Sequence, residues 1–206
     1  MNIFPKLRTG RWGEVNLNRE SLAINLELTD PRVCETWVDR LHHFKGIEYS
    51  YGGFLENRAT LWKHHYNAKS KAFTHLGIDI TVPRYTEVTI PSPAEVVHVM
   101  ENGDDEGGWG GRILFKLQRS DSYLIYGHLA HNFKVKPGDV CTPGEIVGAV
   151  GGIDQNGGWW PHLHIQLMEA AFVQKFKRKQ QDIDGYLREG DKDLKHFLDP
   201  TELIGL

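Results

Sequence analysis

The sequence predicts an all-β core of short strands, a sandwich or a barrel, with short helices in the extensions on either side. Apolar and polar residues alternate in short runs over residues 86–126. Pro-Gly pairs and further glycines divide residues 135–150 into still shorter pieces. The chain holds 22 glycines and 9 prolines in 206 residues, which favours turns over long helices.

Residues 1–70 form the predicted N-terminal extension. Apolar residues alternate over Leu22–Leu28, which predicts a strand. Asp30 is a helix N-cap candidate and is followed by proline, so we expect a helix over Pro31–Phe44. The paired glycines of Tyr49–Phe54 leave the backbone unconstrained, which predicts a loop.

Residues 71–168 form the predicted core, and residues 169–206 form a C-terminal helical extension packed on it. The predicted strands of the core with a clear alternation are Thr86–Ile90, Ala94–Met100, Arg112–Gln118 and Tyr123–Tyr126. In the third of these, Ile113 points inward and Arg112 lies on the polar face. Apolar residues at helical spacing predict a short amphipathic helix over Glu169–Gln181.

Composition excludes several classes of protein. A formal net charge of −3 and a pI near 6.4 lack the basic excess of a nonspecific nucleic-acid binder. No apolar stretch approaches the ~18 residues that span a bilayer. The segment Met1–Gly13 has no apolar core of a secretory signal, so we expect a cytoplasmic protein. The alternatives are a signal that has been removed and export by another route. Cys34 and Cys141 are too few for a disulfide framework, and the oligomeric state stays open.

Two histidine motifs carry the candidate chemistry. His75 and Asp79 flank Gly77, and on a strand all three positions face the same way. His162 and His164 also share one face of a strand. Two imidazoles and one carboxylate suit a tetrahedral zinc ion that keeps one position for water. The same ligand types also occur in iron oxygenases, although the first two ligands there typically lie two residues apart.

A general base is also required, and two histidines are candidates for it. One is whichever imidazole of the His162/His164 pair does not bind the metal. The other is His128, at the end of the predicted hairpin. A neutral imidazole accepts a proton near pH 7.

Four ordered blocks over residues 73–167 resemble the lysostaphin/LytM-type zinc metallopeptidases, peptidase family M23. The blocks are HLGIDI at 75–80, YGHL at 126–129, VKPGDV with GEIVG at 135–148, and PHLH at 161–164. The resemblance implies an antiparallel β-sandwich with a groove that holds one zinc ion. It also implies that His75, Asp79 and His164 bind the metal and that His128 and His162 are catalytic.

The resemblance implies an endopeptidase that hydrolyses peptidoglycan-type or other short peptides rich in glycine or D-amino acids. Two indoles precede the PHLH block where family members usually have a small Ser/Thr-Gly stretch. Trp109, Trp159 and Trp160 are candidates for lining the substrate groove, because an indole can offer one polar edge to a ligand. His131 is a further candidate, because it lies close to His128 in the sequence. The alternative from another class is a non-catalytic module with the same fold that binds peptides or cell wall.

Overall fold

The computed structural model describes residues 2–17, 28–62, 68–101, 108–176 and 183–206. The strands in these residues are β1 (Trp12–Glu14), β2 (Tyr49–Gly52), β3 (Thr74–His75), β4 (Ile78–Thr81), β5 (Glu87–Thr89), β6 (Ala94–Glu101), β7 (Gly111–Leu117), β8 (Ser122–Leu129), β9 (Val140–Cys141), β10 (Ile146–Ala149), β11 (Leu163–Glu169), β12 (Tyr186–Leu187) and β13 (Phe197–Leu198). The α-helices there are α1 (Pro31–Lys45), α2 (Ala59–Trp62), α3 (Ala170–Val173) and α4 (Thr201–Ile204). The predicted all-β core with short helices on either side is confirmed.

Nine strands of the described residues form one sheet, in which β11 lies between β4 and β8. The order is β1-β2-β4-β11-β8-β7-β6-β9, and β13 also pairs with β11. Strand β11 is antiparallel to both neighbours, so His164 lies directly opposite Asp79 on one side and Gly127 on the other. Residues directly opposite on paired strands project from the same face of a sheet, so this register sets the site.

Apolar side chains cover both faces of this sheet. Ile113 and Phe115 pack on one face, together with residues of the two-stranded sheet β5–β10, which forms a second, smaller layer. Leu114, between them in the chain, packs on the other face with the C-terminal segment. The placement of Arg112 on a polar face was wrong, because that segment covers it: Arg112 is buried, and its Nη1 donates to the carbonyl oxygen of Ile183.

The N-terminal segment joins the sheet. Helix α1 begins at the predicted residue, and the Asp30 side chain accepts hydrogen bonds from the first turn. The predicted loop over Tyr49–Phe54 was wrong for its first four residues, because β2 runs there between β1 and β4. Ile3 and Phe4 are fully buried in the main core. Residues 22–27 of the predicted first strand lie outside the described residues.

The C-terminal segment begins with a short helix, α3, inside the range Glu169–Gln181 where helical spacing predicts one. A 3₁₀ turn over Gln174–Phe176 follows α3, and residues 177–182 lie outside the described part of the chain. Strand β12 then pairs with β3, beside the predicted metal ligand His75. Among the described residues, no helix has both the length and the apolar character needed to cross a bilayer.

Candidate metal centre

Three buried side chains meet on one face of the sheet, and their facing atoms all lie within 4.8 Å of one another. The Nε2 atom of His75 is 2.9 Å from Nδ1 of His164 and 3.4 Å from Oδ1 of Asp79. The Nδ1 atom of His164 is 3.0 Å from the same carboxylate oxygen. A side chain at Gly77 would meet both the Ile165 carbonyl and the His164 ring, so glycine permits this close approach.

Hydrogen bonds on the outer side of each ring fix where the protons lie. The Nδ1–H of His75 donates to the carbonyl oxygen of Gly53 at 2.8 Å. The Gln166 amide nitrogen donates to the Asp184 carbonyl, so the Gln166 oxygen accepts from Nε2–H of His164 at 3.3 Å. A neutral imidazole has one N–H, so the two nitrogens that face each other carry lone pairs.

With the protons placed in this way, the lone pairs of His75 and His164 face the Asp79 carboxylate. Burial, together with the Arg58 charge, lowers the pKa of His75 to about 4, which keeps this ring neutral. Burial alone would raise the pKa of Asp79, but electrostatic contacts that include the permanently charged Arg58 guanidinium lower it well below its usual value. Two imidazoles and an ionised carboxylate form a donor set that fits zinc.

His128 reaches the same side of the sheet through an irregularity in β8. Gly127 and His128 together lie opposite the single residue Arg112 of β7, between the paired positions Gly111↔Leu129 and Ile113↔Tyr126. Such a bulge re-aims a side chain. His128 has a positive φ of 61°, which is rare for a residue with a side chain and is found at functional sites.

His128 and His162 form a pair beside the three donors. Their ring centres are 4.3 Å apart, and the His128 ring lies 6.1 Å from that of His164. The Nδ1 atoms of His128 and His162 donate at 2.7 Å to the carbonyl oxygens of Asn156 and Trp160, respectively. Burial lowers the pKa of both rings, so each presents an unprotonated Nε2.

All five predicted histidine and aspartate residues line one cavity of about 300 Å³. Its aromatic walls are Trp62, Trp109, Trp159 and Tyr186. The Trp109 ring lies 5.1 Å from that of His164 and occupies the space that a side chain at Gly127 would need. Of the groove candidates, Trp109 and Trp159 line this cavity.

The other two groove candidates do not line this cavity. Trp160 lines a neighbouring cavity instead, although its ring centre lies 4.0 Å from that of Trp159 and 5.2 Å from that of His162. His131 lines neither cavity in the described part of the chain. His131 comes directly after Leu129 and Ala130, whose main chains pair with those of Val150 and Ala149, respectively.

Sequence reasoning missed four residues that orient the site: Arg58, Asn156, Gln166 and Tyr186. Gln166 had a signal, since it continues the every-second-residue series of His162 and His164 between buried apolar residues. Tyr186 accepts hydrogen bonds from Arg58 and Trp62. These contacts join residues more than 120 positions apart, and no local pattern indicates them.

Comparison with known proteins identifies the family of this chain. A sequence model of peptidase family M23 matches residues 73–182. A comparison with curated proteins gave no match. The catalytic domain of lysostaphin from Staphylococcus simulans is similar at 19% identity, covering 79% of this chain and 96% of its own, with a TM-score of 0.49.

Two further solved structures are similar. A mutant catalytic domain of the prophage-encoded M23 protein EnpA from Enterococcus faecalis is 28% identical over 47% of this chain and 68% of its own, with a TM-score of 0.41. A putative glycyl-glycine endopeptidase lytM from Ruminococcus gnavus is 21% identical over 77% and 53%, with a TM-score of 0.44. These TM-scores are low, so the assignment depends on the family match. Because that match spans more than half of the 206 residues, the chain belongs to peptidase family M23.

Proposed function

We propose that this peptidase is a zinc-dependent endopeptidase that hydrolyses amide bonds in peptidoglycan-type peptides or other short peptides of glycine and D-amino acids. The observation that carries the proposal is the convergence of three possible metal donors, from His75, Asp79 and His164, beside two further histidines. The cavity holds about 300 Å³ and has aromatic walls, which favours a substrate with small residues next to the bond that is cleaved.

His75 Nε2, Asp79 Oδ1 and His164 Nδ1 are the atoms that would hold the ion. A zinc ion in such a site polarises a scissile carbonyl and lowers the pKa of a water molecule toward ~7. The protein contributes the fixed direction of each donor, because the Gly53 carbonyl and the Gln166 amide hold the two rings from behind.

His128 and His162 supply the proton transfers. Each presents an unprotonated Nε2 to the cavity, and each ring is fixed by a carbonyl oxygen on its other nitrogen. One of them accepts a proton from the attacking water, and the resulting imidazolium then donates a proton to the departing amine. Because their pKa values are lowered, both rings are unprotonated at neutral pH and can accept a proton.

Mass spectrometry of a peptidoglycan digest, paired with metal analysis, tests this function. We expect new peptide termini with the wild type and a loss of turnover of about 10²–10⁴-fold in His128→Ala, which removes one base. His128 is outside the donor set, so the variant should keep its zinc.

Three results would contradict the proposal. A zinc-loaded wild type that cleaves none of the peptides would favour the binding module. Iron in place of zinc would favour the oxygenase. If His128→Ala turned over at the wild-type rate, His128 would not be a catalytic residue.

A further inference from the structure

The segment Gly53–Arg58 lies before the residues that match the family and packs directly behind the metal centre. The main-chain N–H of His75 donates to the Glu56 carbonyl, and the N–H of Glu56 donates to the Gly53 carbonyl. That same Gly53 carbonyl accepts the hydrogen bond from the His75 ring. Gly53 has a φ of +101°, and a side chain there would meet the Arg58 guanidinium, so glycine is required at this position.

Arg58 is 1% exposed and links two buried carboxylates. Its Nη1 atom donates to Oδ2 of Asp79 at 2.6 Å, and its Nε atom donates to Glu56 at 2.8 Å. The guanidinium thus holds one oxygen of Asp79, while the other oxygen, Oδ1, faces His75 and His164. Oδ2 of Asp79 therefore binds Arg58, and Oδ1 is the oxygen available to a metal ion.

A carboxylate can bind a metal ion through one oxygen or through both. An ion held by both oxygens of Asp79 would have one more protein donor and less room for water. Arg58 opposes this arrangement, because rotating Asp79 toward the ion would break a short charge-assisted hydrogen bond. Glu56 balances the Arg58 charge, so the pair adds no net charge behind the site.

We propose that Arg58 is a positioning residue that restricts Asp79 to binding the metal through Oδ1 alone and so keeps a coordination position open. This inference rests on the proposed function, since it concerns how the same three ligands hold zinc. It also means that residues 53–58 act in the site, although they precede the family match at residues 73–182.

The test compares cobalt(II)-substituted wild type with Glu56→Gln/Arg58→Met, which removes both charges of the buried pair together. We expect the intense visible spectrum of a four-coordinate ion in the wild type. In the double variant we expect a weaker spectrum of higher coordination, retained metal binding, and a loss of turnover of about 10–100-fold. Arg58→Lys keeps a donor near Oδ2 and should restore much of the four-coordinate spectrum.

A purely structural role for Arg58 predicts something else: a lower melting temperature with an unchanged cobalt spectrum, and that result overturns the proposal. X-ray absorption of the zinc-loaded wild type gives a reading that needs no variant. Four donors support the proposal, and a fifth oxygen from Asp79 contradicts it. Failure of the proposed function is distinguishable, because the wild type would then bind no zinc or would cleave no peptide. Failure of this inference leaves the wild type active and is seen only in the coordination number of the bound metal.

Discussion

Single residues decide which histidines reach the cavity. The spacing of His75, Gly77 and Asp79 predicts a shared strand face, and the structure brings the two polar side chains together. His128 follows no such rule, since strict alternation after Tyr126 and Gly127 would turn it toward the core. The bulge opposite Arg112 reverses this, and the sequence gives no sign of a bulge apart from one glycine.

Gly127→Ala tests the packing of the Trp109 wall. The new methyl group would lie 2.6 Å from the Trp109 ring, so the indole must move and the cavity must change shape. We expect the protein to fold and to bind zinc, with turnover reduced about tenfold. Steady-state kinetics on a short peptide measures this effect.

Gly148→Ala is the matched control, because its methyl group would meet only a Leu129 side-chain atom at 3.8 Å, an ordinary contact. Equal turnover in Gly127→Ala and the wild type would show that the position of Trp109 does not matter for the reaction.

At the scale of elements, local signals and long-range pairing differ in what they reveal. Helix α1 is predictable because its cap and its proline are adjacent in the chain. Strand β2 is not, because Tyr49–Gly52 becomes a strand only through pairing with β1 and β4. The glycines suggested a loop, yet only Gly53 takes a left-handed conformation, and Gly52 lies within the strand.

Asp30→Ala tests whether α1 stabilises the fold without acting on the site. The side chain accepts from the N–H groups of Arg32 and Val33, and loss of an N-cap costs about 1 kcal/mol. Urea unfolding should show this loss of free energy, while Asp30→Ser should recover most of it. A changed zinc affinity in Asp30→Ala would show that α1 does act on the metal site.

For the whole molecule, the family motifs predict the core better than its borders. The motif blocks at 75–80 and 161–164 meet in space as the resemblance implied. The division at residue 70 stays a prediction, and Ile3, Phe4 and β2 pack into the same core and sheet as the matched residues. Such contacts depend on distant partners, so composition along the chain does not show them.

The buried histidines make the stability of the metal-free protein depend on pH. Burial lowers the pKa values of His75, His128 and His162, so the unfolded chain binds more protons than the folded one below about pH 6.5. Their contribution is complete above that pH and is lost as the pH falls. For His75, with a pKa of about 4, the loss between pH 6.5 and 4 is of order 3 kcal/mol.

Urea unfolding in the presence of a chelator, from pH 8 to pH 4, measures this dependence. The free energy of unfolding should be flat above pH 7 and fall below pH 6.5, and it should fall less steeply in His75→Asn. A wild-type value that stays constant down to pH 5 would show that these rings are not held neutral.

Zinc titration of chelator-treated protein, with the bound metal counted by mass spectrometry, tests the central claim most directly. The convergence of His75, Asp79 and His164 predicts one zinc ion per chain in the wild type. Asp79→Ala and His164→Ala should each abolish zinc loading, because two donors do not hold the ion. Wild-type protein that binds no zinc, or alanine variants that keep a full equivalent, would contradict the account.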